Sequence, residues 1–214
     1  MSKPLGNLFI VAAPSGAGKS SLISALIERA NDGQMFNPAQ LSVSHTTRKP
    51  RDGEKNGEHY HFIDVSKFEA MIKEDAFYEH AQVFDNFYGT SKEAISNSLE
   101  AGIDVFLDID WQGARQIKAV NPDVISIFIL PPSKEELHAR LVSRGKDSDE
   151  VIAGRMRKAQ DEMSHYNEFD YLIVNDNFTH ALEELITVVK AHSLRTNKQQ
   201  TRFSGLLNSL LSEK

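Results

Sequence analysis

The segment Pro14-Ser15-Gly16-Ala17-Gly18-Lys19-Ser20 has the composition of a phosphate cradle. Successive backbone N–H groups in a glycine-rich turn point inward and bind phosphate oxygens. A helix that starts directly after the turn adds positive potential from its N-terminus. In that setting Lys19 reaches the outer phosphates and the Ser20 hydroxyl holds Mg²⁺. The usual spacing is G-x-x-x-x-G-K-S/T, and here Ala13 stands in place of the first glycine. Alanine lacks glycine's freedom at positive φ, but a position at the end of a strand does not need it. A bare Gly-Lys-Ser is a weak signal. Its context makes it strong: an apolar run before it, Gly16 and Gly18 within it, and a periodic helix after it.

A second chemical cluster is Val105-Phe106-Leu107-Asp108-Ile109-Asp110, an apolar run ending in acids. A carboxylate at the C-terminal end of a strand lies at the ligand crevice of an open α/β sheet. Asp108 there would orient Mg²⁺, directly or through its waters. Asp110 precedes Trp111 and a helical pattern, so helix capping and ligand contact are both open to it. Basic residues concentrate between Thr46 and Tyr60, including Arg48 and Arg51 in a proline-punctuated loop. Such forks grip phosphate oxygens in bidentate fashion, and the alternative is a solvated basic loop.

These residues need a frame. Leu8–Ala13 is a continuous apolar run, the signature of a strand buried on both faces. Similar runs occur at 105–109, 124–130 and 171–174, with a further strand expected at Leu41–Ser44. Helical periodicity fills 20–30, 91–101, 112–119, 133–143, 149–164 and 178–192. Alternating strand and helix predicts an α/β fold: a five-stranded parallel sheet covered by helices on both faces. Capping boxes are expected at Ser66, Thr90 and Ser133, each followed three residues later by Glu. The expected division is a core of 1–45, 91–132 and 166–192, an inserted mixed α+β lobe at 46–90, a helical lid at 133–165 and an extension at 193–214. In that extension Phe203, Leu206, Leu207, Leu210 and Leu211 share one helical face. Docking on its own subunit is the simpler reading, and self-association stays open.

Composition narrows the rest. Of the 214 residues 40% are hydrophobic, enough for one large domain with a core. The net charge of −6 argues against a nucleic-acid partner. The chain has no cysteine, so disulfides and thiolate chemistry are excluded. No apolar run of membrane-spanning length is present and no leader is expected, which points to the cytoplasm. None of the eight histidines has H-E-x-x-H spacing, so no histidine metal site is expected.

Taken in order, the motifs Pro14–Ser20, Ser42–Arg51, Gly57–Tyr60, Asn86–Thr90, Leu107–Gly113 and Ile173–Asp176 resemble the guanylate kinase family over residues 5–192. The resemblance implies a P-loop kinase that transfers the ATP γ-phosphate to GMP, giving ADP and GDP, with Mg²⁺; dGMP acceptance is left open. It implies that Arg48, Arg51, Tyr60 and Tyr88 hold the acceptor phosphate. Ser44, Glu79, Thr90 and Asp110 would read guanine. Residues 14–20 with Ser21 and Asn175 would bind ATP, Asn175 at the adenine. Arg144 and Arg155 would come from the lid, with Lys19 and Arg48 completing the catalytic set. Without the resemblance, Glu79 is one more surface glutamate, Thr90 a helix cap, the two tyrosines packing aromatics and the lid arginines partners of nearby glutamates. With it, the chemistry fits. Guanine presents N1–H and N2–H₂ donors to a carboxylate, whereas adenine presents an acceptor there. A non-catalytic module of the same fold, or a P-loop kinase for another phosphate acceptor, are the competing readings. The intact Lys19, Ser20 and Asp108 disfavour the first, and Glu79 with Ser44 and Thr90 the second.

Overall fold

The computed structural model describes residues 5–83, 85–143 and 148–212. The chain runs through β1 (Leu8–Ala12), α1 (Lys19–Arg29), β2 (Ala39–Leu41), β3 (His45–Thr46), β4 (His61–Phe62), α2 (Val65–Lys73), β5 (Phe77–Val83) and β6 (Asn86–Ser91). It continues with α3 (Lys92–Glu100), β7 (Asp104–Asp108), α4 (Trp111–Val120), β8 (Ile125–Leu130), α5 (Lys134–Ser143) and α6 (Asp149–Ser164). Then follow β9 (Tyr171–Val174), α7 (Phe178–Ser193), α8 (Thr196–Arg202) and α9 (Ser204–Leu211).

Five strands form the expected parallel sheet, in the order β2-β7-β1-β8-β9. Strand side chains alternate between faces, and β1 shows both outcomes. Phe9 and Val11 join Phe106, Ile127 and Ile129 in one core, closed by Leu22 and Leu26 of α1 and Leu185 and Ile186 of α7. Leu8 and Ile10 point the other way, into a core with Val105, Leu107, Ile95 of α3 and Ile117 of α4. Helices therefore cover both faces, and the five strands end along a common edge. Val11 pairs with Asp108 in register, which brings the end of β7 beside the turn leaving β1.

The second strand differs from expectation. It is Ala39–Leu41 rather than Leu41–Ser44. Pairing with β7 fades after the Ser42 N–H donates to Phe106 O (2.8 Å). Residues 45–46 belong to another sheet, ordered β4-β3-β6-β5, in which β3 and β4 are parallel and the other pairs antiparallel. That sheet has its own aromatic core, with Phe68 stacked on Phe77 (4.6 Å) and Phe87 (5.4 Å). The helical pair α5–α6 meets through Leu137, Leu141 and Ala159.

Of the three expected caps, Ser133 accepts from the Glu136 N–H (3.1 Å). The other two shift. Asp64, not Ser66, caps α2 through the Lys67 N–H (2.7 Å), and Ser66 donates to that same carboxylate. Ser91, not Thr90, caps α3, because Thr90 is held in β6 by pairing with Glu79. The terminal stripe is also corrected. The segment breaks into α8 and α9, and Leu206, Leu210 and Leu211 are 55–79% exposed, so the stripe is not docked on its own subunit.

The foot of α6 is clamped to α4. Arg115 forks onto both oxygens of Glu168 at 2.6 Å, His165 Nδ1 lies 2.7 Å from the same carboxylate, and the His165 ring stacks on Trp111 at 3.6 Å. The Arg115 guanidinium, with help from His165, lowers the Glu168 pKa to about 2. A depressed carboxylate pKa contributes stability above its unfolded value near 4.3 and loses it as pH falls toward the folded value. The free energy of unfolding is therefore expected to fall between about pH 4.5 and pH 2. Denaturant titrations across that range should show a flatter slope in Glu168→Gln, and an unchanged slope would contradict the clamp.

Candidate functional site

The turn between β1 and α1 is held in shape by glycine and by one asparagine. Gly16 and Gly18 have φ of 97° and 95°, where side chains are strained. Ala13 is not in that region, so alanine serves there without strain. The Ala17 N–H donates to Pro14 O (3.1 Å), and buried Asn175 donates its amide to Ala17 O (2.7 Å). A Cβ on Gly18 would lie 2.3 Å from that amide nitrogen. Gly18→Ala thus combines a left-handed backbone with a clash. It should cost roughly 2 kcal/mol of stability, read as a lowered Tm, and distort the turn.

The turn borders a cavity of about 300 Å³ shared with Lys19, Ser20, Asp108, Asp110 and Glu162. Asp108 pairs with Lys19 through one oxygen and accepts from the Ser20 hydroxyl (3.3 Å) through the other. A hydroxyl beside a carboxylate is a hard oxygen pair that suits Mg²⁺. Mg²⁺ characteristically takes one or two carboxylates and completes its shell with water and substrate phosphates. Asp110 caps α4 by accepting from the Gly113 N–H (2.9 Å) while also lining this cavity, so its capping and its access to a ligand coexist.

A second cavity, of about 310 Å³, lies beyond Asp108 and is lined by Ser44, Tyr60, Thr90 and Asp108 itself. Behind it the Thr90 hydroxyl donates to Glu79 Oε1 (2.6 Å). Burial raises the Glu79 pKa; the Thr90 bond opposes this, and the Asp110 charge adds to it.

Arg48 stands over the rings of Tyr60 (5.4 Å) and Phe62 (5.8 Å), and Tyr60 meets Tyr88 edge-on at 6.0 Å. Arg48 Nη2 donates to Glu54 Oε1 (2.8 Å), and the Arg51 N–H donates to Glu54 Oε2 (2.7 Å). The Arg48 bond, then the Arg51 N–H, lower the Glu54 pKa to about 2. Glu54 therefore holds the Arg48 guanidinium and fixes the backbone at Arg51. Sequence reasoning passed over it, and its signal was a lone carboxylate inside a basic, Pro- and Gly-punctuated loop.

From α6, Arg155 Nη2 donates to Ser15 Oγ (3.0 Å). Arg144 lies outside the described residues. Ser21 is an exposed residue of the first turn of α1, and Asn175 sits under the phosphate turn. The structure thus gathers Lys19, Ser20, Asp108, Asp110 and Arg155 around one cavity and its rim. Ser44, Tyr60 and Thr90 line the other, with Glu79 tied to Thr90 behind it.

Residues 5–192 match the guanylate kinase family. The chain is 58% identical over 211 residues to a guanylate kinase of Pseudoalteromonas translucida (strain TAC 125), covering 99% of this chain and all of that one. It is 58% identical over 208 residues to that of Escherichia coli (strain K12), covering 97% and 99%. Among solved structures it is similar to guanylate kinase from Anaplasma phagocytophilum, with a TM-score of 0.69 at 30% identity, covering 99% of this chain and 98% of that one.

Proposed function

The chain belongs to the guanylate kinase family and catalyses ATP-dependent phosphorylation of GMP to GDP, and from that premise we propose how its own residues divide the work. The observation that carries the assignment is the pair of cavities meeting at Asp108, one against the phosphate turn and one against Ser44, Tyr60 and Thr90. A γ-phosphoryl group in the first then faces an acceptor phosphate in the second.

On the donor side, backbone N–H groups of residues 14–20 hold the triphosphate, with Lys19 at its outer oxygens. Asn175 keeps the turn in its binding shape through Ala17 O and flanks the adenine. Ser20 and Asp108 are the residues that would hold Mg²⁺, Asp108 through water. Bound there, Mg²⁺ supplies charge neutralisation at the donor phosphates. On the acceptor side, Arg48, preset by Glu54, and Arg51 grip the GMP phosphate with the Tyr60 and Tyr88 hydroxyls. Ser44, Glu79, Thr90 and Asp110 read the guanine edge. A GMP phosphate competes with Glu54 for Arg48, so the arginine is already oriented when substrate arrives. Little covalent chemistry falls to the protein in phosphoryl transfer, and alignment with charge neutralisation does most of the work. Arg155, with Arg144, would close on the transferring group and exclude water, a contribution of about 10³ to 10⁵ in rate for such arginines.

The units are then a core of 1–45, 91–132 and 166–192, a GMP lobe of 46–90, a lid of 133–165 and an extension of 193–214. No helix of the described residues is long and apolar enough to cross a membrane; a cytoplasmic location is part of this proposal. The exposed stripe of 193–214 is the surface we would assign to any self-association. Purified protein with ATP, Mg²⁺ and a panel of nucleoside monophosphates, followed by ADP release, tests the assignment. Turnover is expected with GMP far above AMP or CMP. AMP or CMP turnover exceeding that of GMP would remove the guanine pocket.

A further inference from the structure

Helix α6 brings two opposite charges to a single residue of the phosphate turn. Arg155 donates to the Ser15 hydroxyl (3.0 Å), and seven residues later, two turns along the same face, Glu162 Oε2 accepts from the Ser15 backbone N–H (3.3 Å). Glu162 also lines the phosphate-turn cavity, where Asp108 and Asp110 are the other carboxylates. Asp108 is neutralised by Lys19. Glu162 pairs with Lys158, one turn back and 3.8 Å away, which is mostly exposed and so a weak partner.

We propose that Glu162 limits affinity at the donor site, an internal anion that competes with the donor's phosphates for the Ser15 N–H. The proposal rests on the reading of residues 14–20 as the donor loop. A carboxylate oxygen and a phosphate oxygen are interchangeable acceptors for a backbone N–H. One N–H directed at Glu162 cannot also serve the triphosphate, and the two anions repel at short range. A weakly bound anion does not dislodge the carboxylate. A triphosphate does, because several N–H groups and Lys19 act on it together. Its entry takes Ser15 from Glu162 and loosens the grip of α6 on the turn, so Arg155 can move from the Ser15 hydroxyl to the phosphate. Glu162 thus lowers the affinity of any anion that needs the Ser15 N–H, the donor triphosphate included.

The test is calorimetric titration of ATP, with and without Mg²⁺, and separately of GMP, into the whole protein, Glu162→Gln and Glu162→Asp. Glu162→Gln should bind ATP roughly three- to tenfold more tightly, the scale of one close like-charge contact. Inorganic triphosphate should gain comparably, and GMP affinity should not move. Glu162→Asp keeps the charge but withdraws it by one methylene, so its gain should be smaller, and it holds the comparison if the glutamine variant misfolds. ATP binding that is unchanged or weaker in both variants overturns the proposal, and a loss confined to Mg²⁺–ATP would instead make Glu162 part of the metal's surroundings. A parent protein that fails to bind ATP at all overturns the donor-loop reading itself.

Discussion

Lys19→Ala is expected to lower kcat roughly 10²- to 10³-fold while GMP binding survives. Lys19 is the one lysine at the phosphate-turn cavity among the described residues, and it is held there by Asp108. Its ammonium is a preorganised donor at the point where charge shifts during transfer, and removing one such donor typically costs that much in rate. The loss has a second part. Without Lys19, the Asp108 carboxylate faces the donor phosphates with only Ser20 beside it. The cavity lined by Ser44, Tyr60 and Thr90 shares only Asp108 with the phosphate-turn cavity, and Lys19 does not line it, so its shape is expected to survive the change. Single-turnover rates with ATP and GMP, beside GMP titrations, separate the two effects. Equal loss of rate and GMP affinity would place Lys19 in a structural role.

Glu79→Ala should lower kcat/KM for GMP by roughly 10³-fold, from two lost charge-assisted hydrogen bonds to guanine, and leave ATP binding alone. The same change should lower Tm by no more than a few degrees, because the lost acceptor of the Thr90 hydroxyl is offset by relief of a buried carboxylate. Burial disfavours the ionised carboxylate in the free protein, and a group held at such a cost for function is often neutral or stabilising to remove. A raised pKa also fixes the sign of a pH effect. GMP affinity should fade on acidification at a higher pH than an ordinary glutamate would dictate, since only the ionised form accepts both guanine donors. A Tm drop of many degrees in Glu79→Ala would make this residue a structural one.

The frame of the molecule was legible because buried parallel strands carry an unmistakable pattern: Leu8–Ala12 and Ile125–Leu130 are apolar without a break apart from Ser126. The phosphate turn was legible for the same reason, as glycines at fixed offsets between strand and helix. Short elements were not. Leu41–Ser44 looks as strand-like as Ala39–Leu41, and what decides is the parallel register with β7, a contact 65 residues away in sequence. Thr90 and Ser91 are equally good caps locally, and cross-strand pairing with Glu79 selects the serine. That choice frees the Thr90 hydroxyl for Glu79, so the misplaced cap and the candidate guanine contact have one cause. Glu54 and Glu162 left almost no trace, because a carboxylate in a charged stretch looks solvated until its partner is known. The resemblance supplied the role of Glu79, which no local pattern distinguishes from other surface glutamates.

The most direct measurement is a crystal structure of the protein with ADP and GMP bound together. The expected result places the ADP β-phosphate within hydrogen-bonding distance of the N–H groups of residues 14–20, the guanine N1–H and N2–H₂ against Glu79, and the GMP phosphate on Arg48 and Arg51, pointing at the first. A β-phosphate away from that turn, or a guanine whose edge faces anything other than Glu79 and its neighbours, would contradict it.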